Sequence, residues 1–478
     1  MRMAVGVEVL HLVLIDVGLR DFVLRAEAVL ELVAGAHVPQ LGLHHGAEVS
    51  GGVVIELHHL AKIAVEDDDD PSPNVVGLHE VVNPFAGKLP ALMTKMKIRT
   101  ITIFVCVATV LGLSCRPRAE RQTAAAASDI PVGVYAATSG SEAAFGQATV
   151  QGEKLAAEEI NNNGGILGQK IRLIIEDDQG KAEEAASVVT KLITHDNVIA
   201  VLGENSSNQS LAAAPICQAS KVPMISASST NPAVTKKGDY IFRVCFTDPY
   251  QGKALAMFVR TNLHATTAAI LRDVKNDYSV GLAEYFRKEF TSLGGKILAE
   301  QSYSGGDSDF RPQLTAIKGT KPDVLFIPGF YTEVGQIAIQ ARDLGITIPM
   351  VGGDGWDSPT VIQIGGKSVD GSYFSDHYFM GEPRPAVKRF VAEINKRSGK
   401  NPDANSALGY DAVYVLANAI KRAGSLDRKA IRDQIAATKN YQGVSGVITM
   451  GPDRDPIKPV AMIKIDGGTT HFAGWIQP

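Results

Sequence analysis

The sequence predicts an α/β protein built as two doubly wound lobes, and three observations carry that prediction. From Ile130 onward, short apolar runs alternate with amphipathic stretches, the pattern of a parallel sheet with helices on both faces. The series runs to about Val244, and a second comparable series begins near Asp248-Pro249. Two such sets in tandem imply two lobes rather than one large sheet. After Pro383-Arg-Pro385 three helices follow one another before strands resume, so these helices return to cover the first lobe and the chain passes between lobes more than once.

In the first series Ile130–Tyr135 is a strand and Ser139–Phe145 a loop. The next helix carries Gly152, Leu155, Ala156 and Ile160 on one face, as an amphipathic helix must. Asn161-Asn-Asn-Gly164-Gly165 stops it, because Asn and Gly tolerate the left-handed conformation of a C-cap. Ile171–Ile175 is the next strand, and Ala182, Ala185, Ala186, Val189, Leu192 and Ile193 share one helical face. The strand Val198–Leu202 leads into the loop Gly203–Ser207, then the helix Leu211–Ser220 and the strands Pro223–Ser226 and Tyr240–Val244.

The second series reads as helix Gly252–Asn262, strand Ala268–Leu271, helix Val280–Leu293, strand Ile297–Gln301, helix Phe310–Lys318, strand Val324–Pro328, helix Val334–Leu344 and strands Pro349–Val351 and Ser372–Ser375. The returning helices are Ala386–Arg397, Asn405–Ala423 and Asp427–Thr438, and a strand-rich ending runs from Val447 to Ile476. The lobes are accordingly drawn as 129–248 plus 380–443 and 249–379 plus 444–478.

Composition narrows the function classes. The 478 residues leave room for two or three domains, and 45% hydrophobic and 21% charged residues are ordinary for a soluble globular protein. A formal net charge of −4 offers no electrostatic reason to expect nucleic acid as a partner. Cys106, Cys115, Cys217 and Cys245 fall in no CxxC or Cys/His zinc spacing, so neither a metal nor a cofactor is expected. There is no GxSxG elbow, P-loop, HExxH or strand-following GxGxxG, and the paired acids Asp177-Asp178 have a structural reading, so no catalysed reaction is expected.

Residues 93–115 read as a signal peptide. Met93-Thr-Lys-Met96-Lys97-Ile-Arg99 is a short basic stretch, Ile101 to Leu113 is almost wholly apolar, and the segment ends Leu111-Gly-Leu-Ser-Cys115. The apolar run is too short for a membrane span. The ending resembles a bacterial lipobox, with Cys115 as the lipidated residue; the alternative is ordinary cleavage marked by Ser114. An extracytoplasmic or periplasmic location follows, with residues 116–128 as a flexible tether. A signal cannot work from position 93, so residues 1–92, which hold seven of the eleven histidines and the acidic run Asp67–Asp70, read as a non-native extension ahead of a true start at Met93 or Met96.

Several stretches carry a more specific resemblance. Leu155-Ala-Ala-Glu-Glu-Ile-Asn161 with Gly164-Gly-Ile-Leu-Gly168, Pro223-Met-Ile-Ser-Ala-Ser-Ser-Thr-Asn-Pro232, Tyr240-Ile-Phe-Arg-Val244 and Gly352-Gly-Asp-Gly-Trp-Asp357 together resemble the branched-chain amino acid binding proteins of bacterial ABC importers. The similarity runs from Ile130 to the C-terminus. It implies the type I periplasmic binding protein fold, two Rossmann-like lobes joined by three crossing segments, with a ligand between them where open α/β sheets leave a crevice. It implies a monomer that closes on an amino acid, first of all a branched-chain aliphatic one, and is read by an ABC permease. A ligand-sensing lipoprotein of the same fold is the alternative.

The resemblance also implies ligand-binding residues. Ser207, with Ser206 as the neighbouring candidate, would offer a hydroxyl to the α-carboxylate, and Ser228, Ser229 and Thr230 would form the second carboxylate-binding segment. Clustered N–H and O–H donors at a strand-to-helix turn can hold an anion without an arginine. Asp354 would meet the α-ammonium, since an ammonium buried without a partner is costly. Tyr278, Phe330, Tyr331 and Trp356 would complete the second lobe's contribution. Phe145 stands where many members have Tyr, which removes one hydrogen bond and makes that wall more apolar. A disulfide between Cys217 and Cys245 is allowed in an oxidising compartment, two buried thiols being the alternative.

Overall fold

The computed structural model describes residues 129–477. The expectations for residues 1–92, for the signal segment 93–115 with its Cys115, and for the linker 116–128 lie outside the described residues.

In the first lobe β1 (Ile130–Ala136), β2 (Ile171–Asp177), β3 (Ala200–Leu202), β4 (Met224–Ser226) and β5 (Ile241–Arg243) form a parallel sheet in the order β2-β1-β3-β4-β5. Val134 of β1 pairs with Ile175 on one side and with Leu202 on the other. A strand buried on both faces reads as a continuous apolar run, which is what Ile130–Ala136 shows. Helix α1 (Ala143–Asn162) packs on one face and α2 (Ala182–Thr194) with α3 (Ser207–Ala219) on the other.

The second lobe repeats the plan with α4 (Asp248–Thr261), β6 (Thr267–Asp273), α5 (Asp277–Ser292), β7 (Lys296–Tyr303), α6 (Arg311–Thr320), β8 (Val324–Phe326), α7 (Tyr331–Asp343), β9 (Met350–Gly352), α8 (Pro359–Gly365) and β10 (Ser372–Asp376). The chain then returns. Helices α9 (Pro385–Ser398), α10 (Ala404–Ala423) and α11 (Arg428–Ala436) place Phe390, Leu408, Ile420 and Ile431 in one core with Val132, Val134 and Ile225. The short hairpin of β11 (Tyr441–Gly443) and β12 (Gly446–Ile448) follows, with Val444, Ile448 and Met450 in that same core. Finally β13 (Val460–Asp466) and β14 (Thr469–Ile476) add antiparallel to β10, giving a seven-stranded sheet in the order β14-β13-β10-β9-β8-β6-β7.

Three segments join the lobes: 246–247, 377–384 and 449–459. They run side by side. The Phe246 and His377 rings lie 3.7 Å apart between centroids, and Lys458 Nζ donates to the Val244 carbonyl at 3.1 Å. Burial pushes the Lys458 pKa down to about 8, while the nearby Asp411 favours its charge. An ion pair from the buried Arg243, Nε to Oδ1 of the half-buried Asp455 at 2.7 Å, fixes the third segment to β5.

Helices α1 and α10 approach unusually closely because each offers a glycine to the other. A Cβ on Gly152 would lie 1.9 Å from the Ser406 carbonyl oxygen, and one on Gly409 would lie 2.5 Å from that of Thr149. This contact brings the first turn of α10 to the end of the first sheet.

Several element starts differ from those read in the sequence. Helix α3 begins at Ser207 rather than Leu211, and α5 begins at Asp277 rather than Val280. Ser, Asn and Asp are poor helix interiors but favoured first-turn residues, so their presence disguised the starts; Asn276 caps α5 by accepting from Ser279 N. Helix α8, at seven residues too short for a periodic signal, lies outside the elements read in the sequence; Ser358 caps it with Pro359 behind.

Cys217 and Cys245 are both free thiols, which corrects the disulfide expectation. Cys217 packs in the core on one face of the first sheet and Cys245 in the core on the other, so the sheet separates them. Burial pushes both thiols up to about 12, and Cys245 Sγ donates to the Ser229 carbonyl at 3.4 Å.

Candidate functional site

The carboxyl ends of both parallel sheets face one cleft. The first lobe supplies the first turn of α1 (Phe145), the turn between β3 and α3 (Asn205, Ser206) with the first residue of α3 (Ser207), and the segment after β4 (Ser228, Thr230). The second supplies the first turn of α5 (Tyr278), the turn before α7 (Phe330) and the turn after β9 (Asp354, Gly355), and Asn405 enters from α10. About 300 Å3 of atom-free space, part of it open to solvent, lies between them.

The first-lobe side is a bank of donors. Ser207 is the first residue of α3, where helix N–H groups lack intrahelical partners and the dipole favours an anion. Its Oγ accepts from Asn231 N at 3.2 Å, leaving its own proton free to donate. The turn is propped from below by Glu204, which accepts from Ala137 N at 3.0 Å and from Ser206 N at 2.5 Å. Burial, with Asp178 and Glu142 nearby, pushes the Glu204 pKa well above the usual carboxylate range. Ser206 donates its hydroxyl to Glu142 Oε2, and burial pushes Glu142 up to about 7.

The second-lobe side presents one carboxylate. Gln251 Nε2 donates to Asp354 Oδ1 at 2.7 Å, and His377 Nε2 lies 3.0 Å from Asp354 Oδ2. Burial holds the His377 pKa below its ordinary value, so the neutral ring carries its proton on the nitrogen that faces the carboxylate. Tyr278 Oη accepts from Gly355 N at 3.2 Å, and burial together with the Asp354 charge raises its pKa, so the phenol stays protonated. Glycine flanks Asp354 for steric reasons: a Cβ on Gly353 would lie 2.3 Å from Tyr278 Oη, and one on Gly355 2.6 Å from the Gly329 carbonyl oxygen.

Of the residues expected from sequence, Phe145, Ser206, Ser207, Ser228, Thr230, Tyr278, Phe330 and Asp354 line the cleft. Three do not. The Ser229 hydroxyl is turned into the turn, within 2.7 Å of Ser210 Oγ and 3.0 Å of the Glu204 carbonyl. Trp356 is fully buried and its Nε1 donates to the Ile327 carbonyl at 2.9 Å, so the indole is core. Tyr331 spans the lobes beside the cleft, its ring 4.7 Å from that of Phe145. Sequence reading missed Asn205 and Asn405 on the wall and Gln251 and His377 behind Asp354. Only the fold joins positions so far apart in the chain; Asn205 alone had a local signal, its place in the serine-bearing turn. Among the described residues no group of three or more His, Cys, Asp or Glu is placed to hold a metal ion.

Comparison with known proteins places this geometry. The family model for periplasmic binding proteins matches residues 129–470. An amino acid binding protein of Pseudomonas aeruginosa is 29% identical over 341 residues, covering 70% of this chain and 87% of its own length. A Leu/Ile/Val-binding protein homolog of Brucella abortus is 31% identical over 341 residues, with coverage of 70% and 90%. Among solved structures, the leucine-binding protein LivK of Thermotoga maritima is 40% identical, with a TM-score of 0.71 and coverage of 73% of this chain and 99% of that one. The branched-chain amino acid transporter substrate-binding protein LivJ of Streptococcus pneumoniae, in complex with isoleucine, is 35% identical, with a TM-score of 0.70 and coverage of 73% and 100%. With two doubly wound lobes, three crossing segments and a cleft at the strand ends, the chain belongs to the periplasmic binding protein family, among its leucine/isoleucine/valine-binding members.

Proposed function

We propose that the chain captures an α-amino acid between its lobes, closes on it, and delivers it to the permease of an ABC importer. One observation carries the reading: donors on one lobe and a carboxylate on the other face each other across a single cleft. Ser207, Thr230 and the first N–H groups of α3 suit an α-carboxylate, and Asp354, with the Tyr278 phenol beside it, suits an α-ammonium. A ligand that touches both lobes favours the closed form by the sum of those contacts, whereas one that touches a single lobe does not. The closed shape is then what a membrane partner recognises.

The chain is a monomer that performs no chemistry on its ligand, exported past the segment ending at Cys115 and held to the membrane by lipid on that cysteine. Relatives named for leucine, isoleucine and valine make an aliphatic ligand the first expectation, and the main-chain clamp itself is indifferent to the side chain. Titration calorimetry on Asp354→Ala tests the clamp. Losing the partner of a buried ammonium weakens binding by about 3 kcal/mol, roughly a hundredfold; unchanged affinity refutes the assignment.

A further inference from the structure

Both side chains that hold Asp354 are rooted at the crossings between the lobes. His377, whose Nε2 lies 3.0 Å from Asp354 Oδ2, is the first residue of the second crossing. Its ring stacks on Phe246 of the first crossing, 3.7 Å away between centroids. Gln251 stands in the first turn of α4, just beyond the first crossing, and its Nε2 reaches both Asp354 Oδ1 at 2.7 Å and Ser375 Oγ of β10 at 2.9 Å. One donor thus meets each carboxylate oxygen. A carboxylate turns easily about its last torsion, whose wells are broad, so a donor on each oxygen fixes the plane of the group. Each oxygen keeps a second acceptor position, which suits a ligand's ammonium. His377 is buried, and its Nδ1 has no partner among the described residues. A second ring proton would find no acceptor there, so the ring stays neutral and orients Asp354 without cancelling its charge.

We propose that His377 is a positioning residue that ties the grip of Asp354 on the ligand's ammonium to the packing of the hinge. The proposal rests on the amino acid reading above and deepens it. A cation in the place of His377 would compete with the ammonium for the same carboxylate, and an apolar residue would leave Oδ2 without its donor. A neutral N–H does neither. Because the ring lies against Phe246, a shift of one crossing against the other moves the donor, and the plane of the carboxylate follows. With the crossings packed as in this structure, Asp354 is set for the ammonium before the ligand arrives, which is preorganisation of the site.

The test is calorimetric titration of the full chain with the twenty amino acids, the tightest binder then serving as probe for the variants. His377→Leu removes the donor and keeps an apolar side chain against Phe246, and its affinity is expected to fall roughly tenfold. His377→Gln returns a neutral N–H at similar reach and is expected to bind within about twofold of wild type. Unchanged affinity in His377→Leu, or an equal loss in both variants, overturns the proposal. Phe246→Leu leaves both donors in place but loosens the stack. It is expected to weaken binding about threefold in the wild-type background and not at all beside His377→Leu, since coupled residues do not add; losses that add overturn the link to the hinge. Where a variant fails to fold by circular dichroism, nitrogen NMR of the wild-type imidazoles decides. The His377 ring, identified through its contact with Phe246, is expected to be neutral with its proton on Nε2 before and after the probe binds, and a charged ring or a proton on Nδ1 overturns the proposal. Asp354→Ala separates the two readings: if it weakens binding and His377→Leu does not, the clamp stands and the positioning role falls. If Asp354→Ala changes nothing, or no amino acid binds, both fall.

Discussion

The Tyr331 hydroxyl donates to the Ser141 carbonyl at 2.7 Å and accepts from Ala144 N at 3.2 Å, so one phenol of the second lobe holds the turn that opens α1 in the first. The Phe145 ring stands edge-on to it. Neither contact involves the walls that Asp354 and Ser207 provide, so the lobes are fastened beside the cleft as well as across it.

Tyr331→Phe keeps the ring and removes both hydrogen bonds. The closed form then loses about 1 kcal/mol, and ligand affinity is expected to fall about fivefold without a change in which amino acid is preferred. Calorimetry reads the affinity, and small-angle scattering reads the larger open fraction of the unliganded protein.

Glu153 of α1 is fully buried, neither carboxylate oxygen has a partner, and burial pushes its pKa up to about 8. The unfolded chain releases this proton near pH 4.5, whereas the folded chain keeps it. Stability therefore falls as pH rises from about 4.5 to about 8 and levels off above. Glu153→Gln is expected to flatten that fall, gaining on the order of 3 kcal/mol relative to wild type at neutral pH. Denaturant titrations at pH 5, 6.5 and 8 check it; parallel pH profiles for the two proteins contradict it.

Gly152→Ala puts a methyl group 1.9 Å from the Ser406 carbonyl oxygen, and a backbone atom cannot step aside as a flexible side chain can. Overpacking of this kind costs about 1–3 kcal/mol. Because Ser406 adjoins Asn405, the substitution is expected to weaken ligand binding as well as lower the urea midpoint, although Gly152 lies off the cleft.

Cys217 and Cys245, lying on opposite faces of the first sheet, are expected to resist a thiol reagent in the folded protein. After denaturation without reductant, both are expected to carry the alkyl group, as read by peptide mass spectrometry. A Cys217–Cys245 peptide pair in that digest contradicts the structure.

The two lobes, the returning helices and most of the cleft are legible in the sequence for physical reasons. Alternation of apolar runs with amphipathic stretches is a direct imprint of a buried parallel sheet, and Ser207, Thr230 and Asp354 sit in short turns after strands, where side chains have little choice of surroundings. Trp356 and Tyr331 show where that legibility stops. A residue beside a site residue can point away from it, and the turn after β9 sends the indole to the Ile327 carbonyl. Asn405 and His377 show the other limit. One belongs to a helix and the other to a crossing segment, and only the glycine contact between α1 and α10 and the packing of the crossings bring them to the cleft.

Three crossings packed side by side behave like the spine of a book. Covers bound along a spine swing apart and shut again but do not slide past one another, because sliding would shear the Phe246–His377 stack and break the Lys458 and Asp455 attachments. On the proposed hinge closure, each half of the site returns to the same facing partner, and a captured molecule need be recognised in only one alignment.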